Sequence, residues 1–575
     1  MIMVIQTSTT RESSMLATSW SIPRSRQHRH VSRRRRRLPA RALLAITALT
    51  AALTTVPPAV ADTAPPPGEL PTVTADPLPT WQTNGTVWTI EIIGDTVYVG
   101  GSFTAIRPPG TSPGDPAELP RLNLAAFNAT TGQPLPFNPA VEANPGAEVI
   151  VWDLQPSPDG HTLYIAGKFT KINGQSRPRI AAFTLPDGPL TGFRHDLDAA
   201  AEALAVTPTT VYTGGNFTTA DGSPRQRLAA FDRTTGTLTG WTPSADRRVM
   251  SMALSPDQTQ VIIGGKFDTL NGKPPHGLSS IRTDATGTNA PWETGLERQS
   301  DTRHSWATDL ITDDDTVYVS AAGTGTFDGR LAVNPDGGTL RWIDNCLGGT
   351  EAITLLAGVL YSGSHAHDCS TQPDGFPQLD NNRHQRLLAE PANPDPARYD
   401  TPPILHWFAD TNAGPTDGQG PRAMDNNGHY LWLGGDFTTI NDQPQQSLTR
   451  FGDLTVTTDT NPPQPLTKPT VTKPDGTTGT LTITWTQTWD RDNKQLKYEI
   501  IRDGTSVIHT LDSPSRFWDL KPLTHTDTGL PPGSTHTYTI RATDHYGNTA
   551  QSPTSDPVQT GQLRMSRPSP DAPLR

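Results

Sequence analysis

One phrase, repeated along the chain, limits the folds open to it more than any other feature. Val97-Tyr98-Val99-Gly100-Gly101-Ser102-Phe103-Thr104 is followed by Leu163-Tyr164-Ile165-Ala166-Gly167-Lys168-Phe169-Thr170 and by Val211-Tyr212-Thr213-Gly214-Gly215-Asn216-Phe217-Thr218. Val261-Ile262-Ile263-Gly264-Gly265-Lys266-Phe267 and Leu431-Trp432-Leu433-Gly434-Gly435-Asp436-Phe437-Thr438 complete the set. The β-branched and aromatic run reads as a strand, and the small pair that ends it permits a bulge or a close backbone approach. Asn173-Gly174, Asp221-Gly222 and Asn271-Gly272 follow as tight turns. A further strand comes next, in Leu124-Ala125-Ala126-Phe127, Ile180-Ala181-Ala182-Phe183 and Leu228-Ala229-Ala230-Phe231, and then an aromatic such as Phe137, Trp241 or Trp342. With the apolar strand before each phrase, this predicts four antiparallel strands per unit, the blade of a propeller.

Spacing sets the number of units. Taking the second small residue as marker, the steps from Gly101 to Gly167, Gly215 and Gly265 are 66, 48 and 50 residues, and 98 more, two units, lead to Gly363. The last step, 72 residues to Gly435, carries a Pro- and Asn-rich insertion over 371–403. About seven units result; six or eight fit the same count. The last unit stops near Arg450-Phe451 without its final strand, while an orphan Pro79-Thr80-Trp81 precedes the first, so the N-terminal segment is expected to complete the last unit and seal the ring.

The Gly-Gly-x-Phe-Thr phrase with its Asn-Gly turn resembles the delta-sixty-type repeats of secreted bacterial propellers, over roughly residues 80–452. That resemblance implies fold and export, and little about activity. After Asn461-Pro462-Pro463, alternating Leu481, Ile483 and Trp485, then Tyr498 and Ile500, then Tyr538-Thr539-Ile540-Arg541-Ala542, look like a fibronectin type III module. The resemblance makes Trp485 the core tryptophan and Tyr538 the corner tyrosine. The expected organisation is an all-β chain: 1–61 signal peptide, 62–456 propeller, 457–466 linker, 467–561 fibronectin type III-like sandwich and 562–575 disordered tail.

Charge narrows the partners. Ten of the 46 Lys and Arg and a single acid, Glu12, fall in residues 1–61, leaving 36 basic against 56 acidic side chains beyond them. So acidic a body repels phosphate backbones, which argues against nucleic acid. Arg33 to Arg37, the apolar stretch Ala42 to Val56 and Ala59-Val60-Ala61 before Asp62 have the order of a secretory leader, with cleavage expected between Ala61 and Asp62. An uncleaved anchor is the alternative, but the stretch is shorter than the ~20 residues a span needs, and none is expected later. Ser32 before the arginines is a weak twin-arginine signal, and Met15 is a candidate start. Cys346 and Cys369, the only two cysteines, are expected to pair in an oxidising compartment, with two buried free thiols as the alternative.

Chemistry-bearing patterns are few. Gly110-Thr111-Ser112-Pro113-Gly114 spells a nucleophile elbow, but its prolines place it in a loop. His365 and His367 alternate on a strand-like segment and, with Asp368 or His384, are candidate metal ligands; a structurally satisfied corner beside the disulfide is favoured instead. His304 and Trp306 read as packing residues, and Asp313-Asp314-Asp315 as a hairpin turn. Asp490, Asp492 and Asn493 suggest calcium, yet the loop lacks the glycine and glutamate of an EF-hand and reads as a solvated turn. Ala230-Phe231-Asp232-Arg233-Thr234-Thr235-Gly236 with Trp241 resembles the tryptophan-docking repeat of quinoprotein dehydrogenases, but the tryptophan falls one residue late and no cofactor site accompanies it.

With no catalytic constellation, the sequence points to a secreted or loosely wall-associated, monomeric binding or scaffold protein without cofactors, its partner a glycan or a surface protein. A glycosidase acting on extracellular polysaccharide is the alternative, a quinoprotein dehydrogenase a more distant one. The irregular sector around His365, His367 and the insertion is the first place to look for function.

Overall fold

The computed structural model describes residues 70–562 apart from 187, 381–382 and 417, and every regular element among them is a β-strand. No helix among them is long and apolar enough to cross a membrane. The expected leader, its Ala61-Asp62 junction and the tail from 563 onward lie outside the described residues.

The repeated phrase forms the second strand of a small antiparallel sheet in each unit, as its β-branched and aromatic residues favour. Seven such sheets occur among the described residues, with first strands Thr86–Ile93, Ile150–Pro156, Ala201–Val206, Val249–Leu254, Ser305–Thr312, Thr350–Leu356 and Pro421–Asn426. These first strands pack side by side in chain order, and Pro421–Asn426 packs against Thr86–Ile93. A regular fourth strand is present only in the second and fifth sheets, Leu190–Arg194 and Leu340–Asp344. In the first, third, fourth and seventh sheets the predicted fourth strand shrinks to a single bridge, such as Phe127 to Pro134, where Pro134 and Pro136 cannot donate to a ladder.

The glycine pairs hold the sheets this close. A Cβ on Gly434 would sit 2.3 Å from Cγ1 of Val87 in the neighbouring sheet, and one on Gly435 would sit 2.0 Å from the Gly420 carbonyl of its own. Gly100 against Val151, Gly214 against Val249 and Gly363 against Pro421 repeat the first contact. Thus the first small residue admits the next sheet, and the second admits a bulge in the partner strand.

The N-terminal segment lies along the last sheet. Leu78 donates its N–H to the Arg450 carbonyl at 2.8 Å, forming an antiparallel bridge, and Thr74 donates to Gly452 at 2.9 Å.

The C-terminal module has two main sheets around one core, with a two-stranded pair, Thr535–His536 and Val558–Gln559, beside them. Thr470–Thr472, Thr480–Thr486 and Pro522–Thr528 form one; Ser506–Pro514, Gln495–Arg502, Tyr538–Thr543 and Thr549–Gln551 form the other. Leu481, Ile483 and Trp485 point inward between them, as their alternation predicts. The Tyr538 hydroxyl donates to Asp527 at 2.8 Å instead of to the backbone, because Asp527, held by Arg502, stands in its path. Tyr498 tethers the backbone instead, through the N–H and carbonyl of Thr488.

The module does not hang from a free linker. Phe517 and Trp518 pack on Phe376 of the insertion and on Phe408 just after it, with ring centroids 5.2 to 6.0 Å apart. This aromatic seat is continuous with the Cys346–Cys369 disulfide, whose two residues are fully buried. Phe408 and Arg491 exchange backbone and guanidinium hydrogen bonds across it.

Candidate functional site

In each of the seven first strands one residue has no partner in the register with the second strand. These bulged residues are Trp88, Trp152, Glu202, Met250, Thr308, Glu351 and Arg422. All seven line one cavity of about 200 Å³ between the first strands. A bulge re-aims a side chain that a flat ladder would leave on the sheet face, so the repeat itself gathers seven unrelated side chains at one point. The sequence showed the bulge signal in the glycine pair but not that the variable residue opposite it is the one delivered.

Charges at this mouth are matched. Glu202, 7% exposed, is ion-paired with Arg248, whose guanidinium lies 5.7 Å from the Trp152 ring centre. Glu351 pairs with Arg422 at 3.1 Å, and Arg422 covers Trp88 at 4.7 Å. Burial raises the Glu202 carboxyl above its usual range despite Arg248. Lys266 stands 3.8 Å from the Trp306 ring centre, its ammonium pushed down by burial and by Arg248. The mouth is therefore a rim of tryptophan faces and paired ions, the kind of surface that accepts planar or hydroxyl-rich ligands.

Deeper carboxylates have structural duties. Asp153 accepts the Leu204 N–H at 2.6 Å, Asp309 that of Ile353 at 3.1 Å and Asp425 that of Ile92 at 2.7 Å, each on the first strand of the following sheet. Burial raises these carboxyls to about 8, about 6 and about 7 respectively, and lifts Glu91 beside them well above its usual range. Each donated N–H pulls the other way, so desolvation outweighs the hydrogen bonds.

The residues singled out in the sequence lie elsewhere. His365 accepts the Gly349 N–H on Nε2 at 3.2 Å, and burial lowers its pKa. His367 contacts Gln378 at 3.2 Å, and Asp368 caps Ser370. The His384 ring lies 5.7 Å from His365 and 6.0 Å from His367, centre to centre, and burial lowers its pKa to about 4. The group whose donor atoms do converge among the described residues is Asp459, Asp490 and Asp492, within 4.8 Å of one another. Ser112 sits in an irregular loop with no helix after it, Asp313 accepts the N–H groups of Asp315 and Thr316 as a turn, and Trp241 packs on Tyr212 and donates to Arg282 of the next unit.

Repeated antiparallel sheets with a shared inner cavity define a protein of the β-propeller type. A family model described as a domain of unknown function (DUF5122) beta-propeller matches residues 157–188, the second and third strands of the second unit. No curated protein matches the chain.

Proposed function

We propose that this is an exported, non-catalytic binding protein. In this reading residues 62–456 close as a seven-bladed propeller whose axial mouth takes the ligand, and residues 467–561, reached through 457–466, are a fibronectin type III-like module carried as a rigid arm. The observation that carries the proposal is the convergence of the seven bulged residues on one cavity in which Glu202 and Glu351 are paired with arginine and Asp153, Asp309 and Asp425 accept backbone N–H groups. Five of the six carboxyls lining the cavity are thereby committed to internal partners, which favours binding over a paired acid and nucleophile. The leader-like N-terminus and the buried disulfide support export. Two tryptophans at the rim favour a glycan as the ligand.

A panel of cell-wall and plant glycans tests this on the purified chain. Saturable binding that falls at least about tenfold in Trp152→Ala, without sugar release, is the expected outcome; tenfold corresponds to the loss of one aromatic contact of about 1.4 kcal/mol. Release of sugar that disappears in Glu202→Gln or Glu351→Gln would replace binding with glycoside hydrolysis, the second reading, since these two glutamates share the mouth.

A further inference from the structure

A second cavity, of about 310 Å³, lies at the seam where the start of the strand Gln385–Pro391, the turn around Asn441 and the Trp489 to Arg491 segment of the C-terminal module meet. Small-molecule sites have volumes of about 300–1,000 Å³, so this one is of a size to take a ligand. None of its lining residues belongs to the mouth between the first strands.

Its wall holds a buried cation without a counter-ion. Arg386 is 8% exposed, and no carboxylate among the described residues forms an ion pair with its guanidinium; Asp410 and Asp436 attract it only from farther away. Asp410 serves the Arg386 backbone instead, accepting its N–H at 2.8 Å. The guanidinium Nε is enclosed and meets no acceptor among the described residues, and the contact of Nη2 with Nδ1 of His384 is 3.5 Å long. Arg330 shows the alternative: it is as deeply buried, but Asp344 and Glu390 neutralise it. The hydroxyl of Thr411, a residue 4% exposed, is also buried without a partner among the described residues. A Cβ on Gly420 would lie 2.9 Å from both Thr411 Oγ1 and Arg386 Cδ, so the two side chains are neighbours on this wall. A guanidinium taken out of water without an anion, beside a hydroxyl without a partner, is a costly arrangement that an oxyanion in the cavity would satisfy.

The rest of the lining narrows the anion. Arg383, Arg386 and Arg491 face Asp410 and Asp442, three guanidiniums against two carboxyls. His384 is uncharged at neutral pH, since burial and the neighbouring Arg386 lower its pKa to about 4. One excess positive charge suits a monoanion better than a phosphate dianion. Trp489 and Phe517, both partly exposed and with ring centres 5.4 Å apart, supply an apolar side to the same cavity. We propose that this seam binds an acidic sugar, a hexuronate unit, whose carboxylate is held by Arg386 and Thr411 and whose ring lies against Trp489 and Phe517. A planar carboxylate fits the guanidinium fork, and the C–H face of a sugar ring fits an aromatic wall. The site is independent of the reading given to the mouth.

The test is isothermal titration of the full purified chain, at neutral pH and low salt, with trigalacturonate, with its methyl ester, and with sodium sulfate and sodium phosphate. Expected are one equivalent of trigalacturonate bound at this site, the ester weaker by at least about tenfold because it brings no charge to Arg386, and the inorganic ions weaker than the sugar acid because they lack the ring. Arg386→Gln should weaken trigalacturonate by a similar factor with an unchanged far-ultraviolet spectrum, whereas Trp152→Ala at the mouth should leave it unaltered. Should Arg386→Gln not fold, Thr411→Val supplies the comparison, because it removes a hydroxyl that bonds to nothing else among the described residues. The proposal is overturned by the absence of saturable binding, by an ester that binds as well as the acid, by sulfate or phosphate binding more tightly than trigalacturonate, or by an Arg386→Gln chain that binds like the parent. Binding lost in Trp152→Ala alone would place the uronate at the mouth, overturning this site while leaving the reading of the mouth intact.

Discussion

At the residue scale, the positions that matter most are those where a side chain has no room or no solvent. Gly434 is the clearest case of the first: Gly434→Val drives methyl groups into Val87 across the seam between the last and first sheets. A loss of about 3 kcal/mol is expected, read as a fall in the urea midpoint. Asp153 exemplifies the second. Its carboxyl, raised from 3.8 to about 8 by burial, holds a proton in the folded chain that the unfolded chain releases. Native protein therefore binds more protons than unfolded protein between those values, and the associated stability, complete below about pH 4, is lost as pH rises through about 8. Asp153→Asn keeps an acceptor for the Leu204 N–H and removes the titration, so melting temperatures across that range should flatten, with the variant the more stable above pH 8. The repeat phrase made Gly434 legible in sequence. Asp153 was not, because nothing local distinguishes a clamp on the neighbouring sheet from a surface aspartate.

At the element scale, the insertion over 371–403 is the instructive segment. Its composition marks an interruption of the repeat, and the sequence made it the place to look for a site. In the structure it seats the C-terminal module: Phe376 of the insertion and Phe408 just after it receive Phe517 and Trp518, while Asp374 pairs with Lys494 and Arg516. None of these pairings has a sequence signature, since the partners lie more than a hundred residues apart. Phe517→Ala together with Trp518→Ala should release the module without unfolding it, because its own core of Trp485, Tyr498 and Tyr538 is separate. Calorimetry should then resolve two transitions, and limited proteolysis should cut within 457–466, where the parent chain resists both.

At the scale of the whole molecule, the order of packing depends on the two ends of the repeat meeting. Asp425 of the last sheet accepts the Ile92 N–H of the first, and Leu78 bridges Arg450 on the outer edge of the last sheet. Deleting residues 1–81 should uncover the outer edge of the strand Leu448–Gly452, which keeps its pairing with Tyr430–Gly435. An exposed edge recruits another, so the truncated chain should melt lower and self-associate on size-exclusion chromatography with light scattering, while the intact chain does not.

The division between what sequence and tertiary structure determine follows from the range of the forces involved. Period-two patterning, tight-turn dipeptides and the glycine pair act within one sheet, so the repeat and the first three strands of each unit were readable from residues in order, while the fourth strand was overcounted. The shared cavity was not, and of the acidic cluster only Asp490 and Asp492 stood out. Trp88, Trp152 and Arg422 meet only because seven bulges line one cavity, and Asp459 joins Asp490 and Asp492 only once it is folded against them. Distance along the chain carries no information about such meetings; burial and packing decide them.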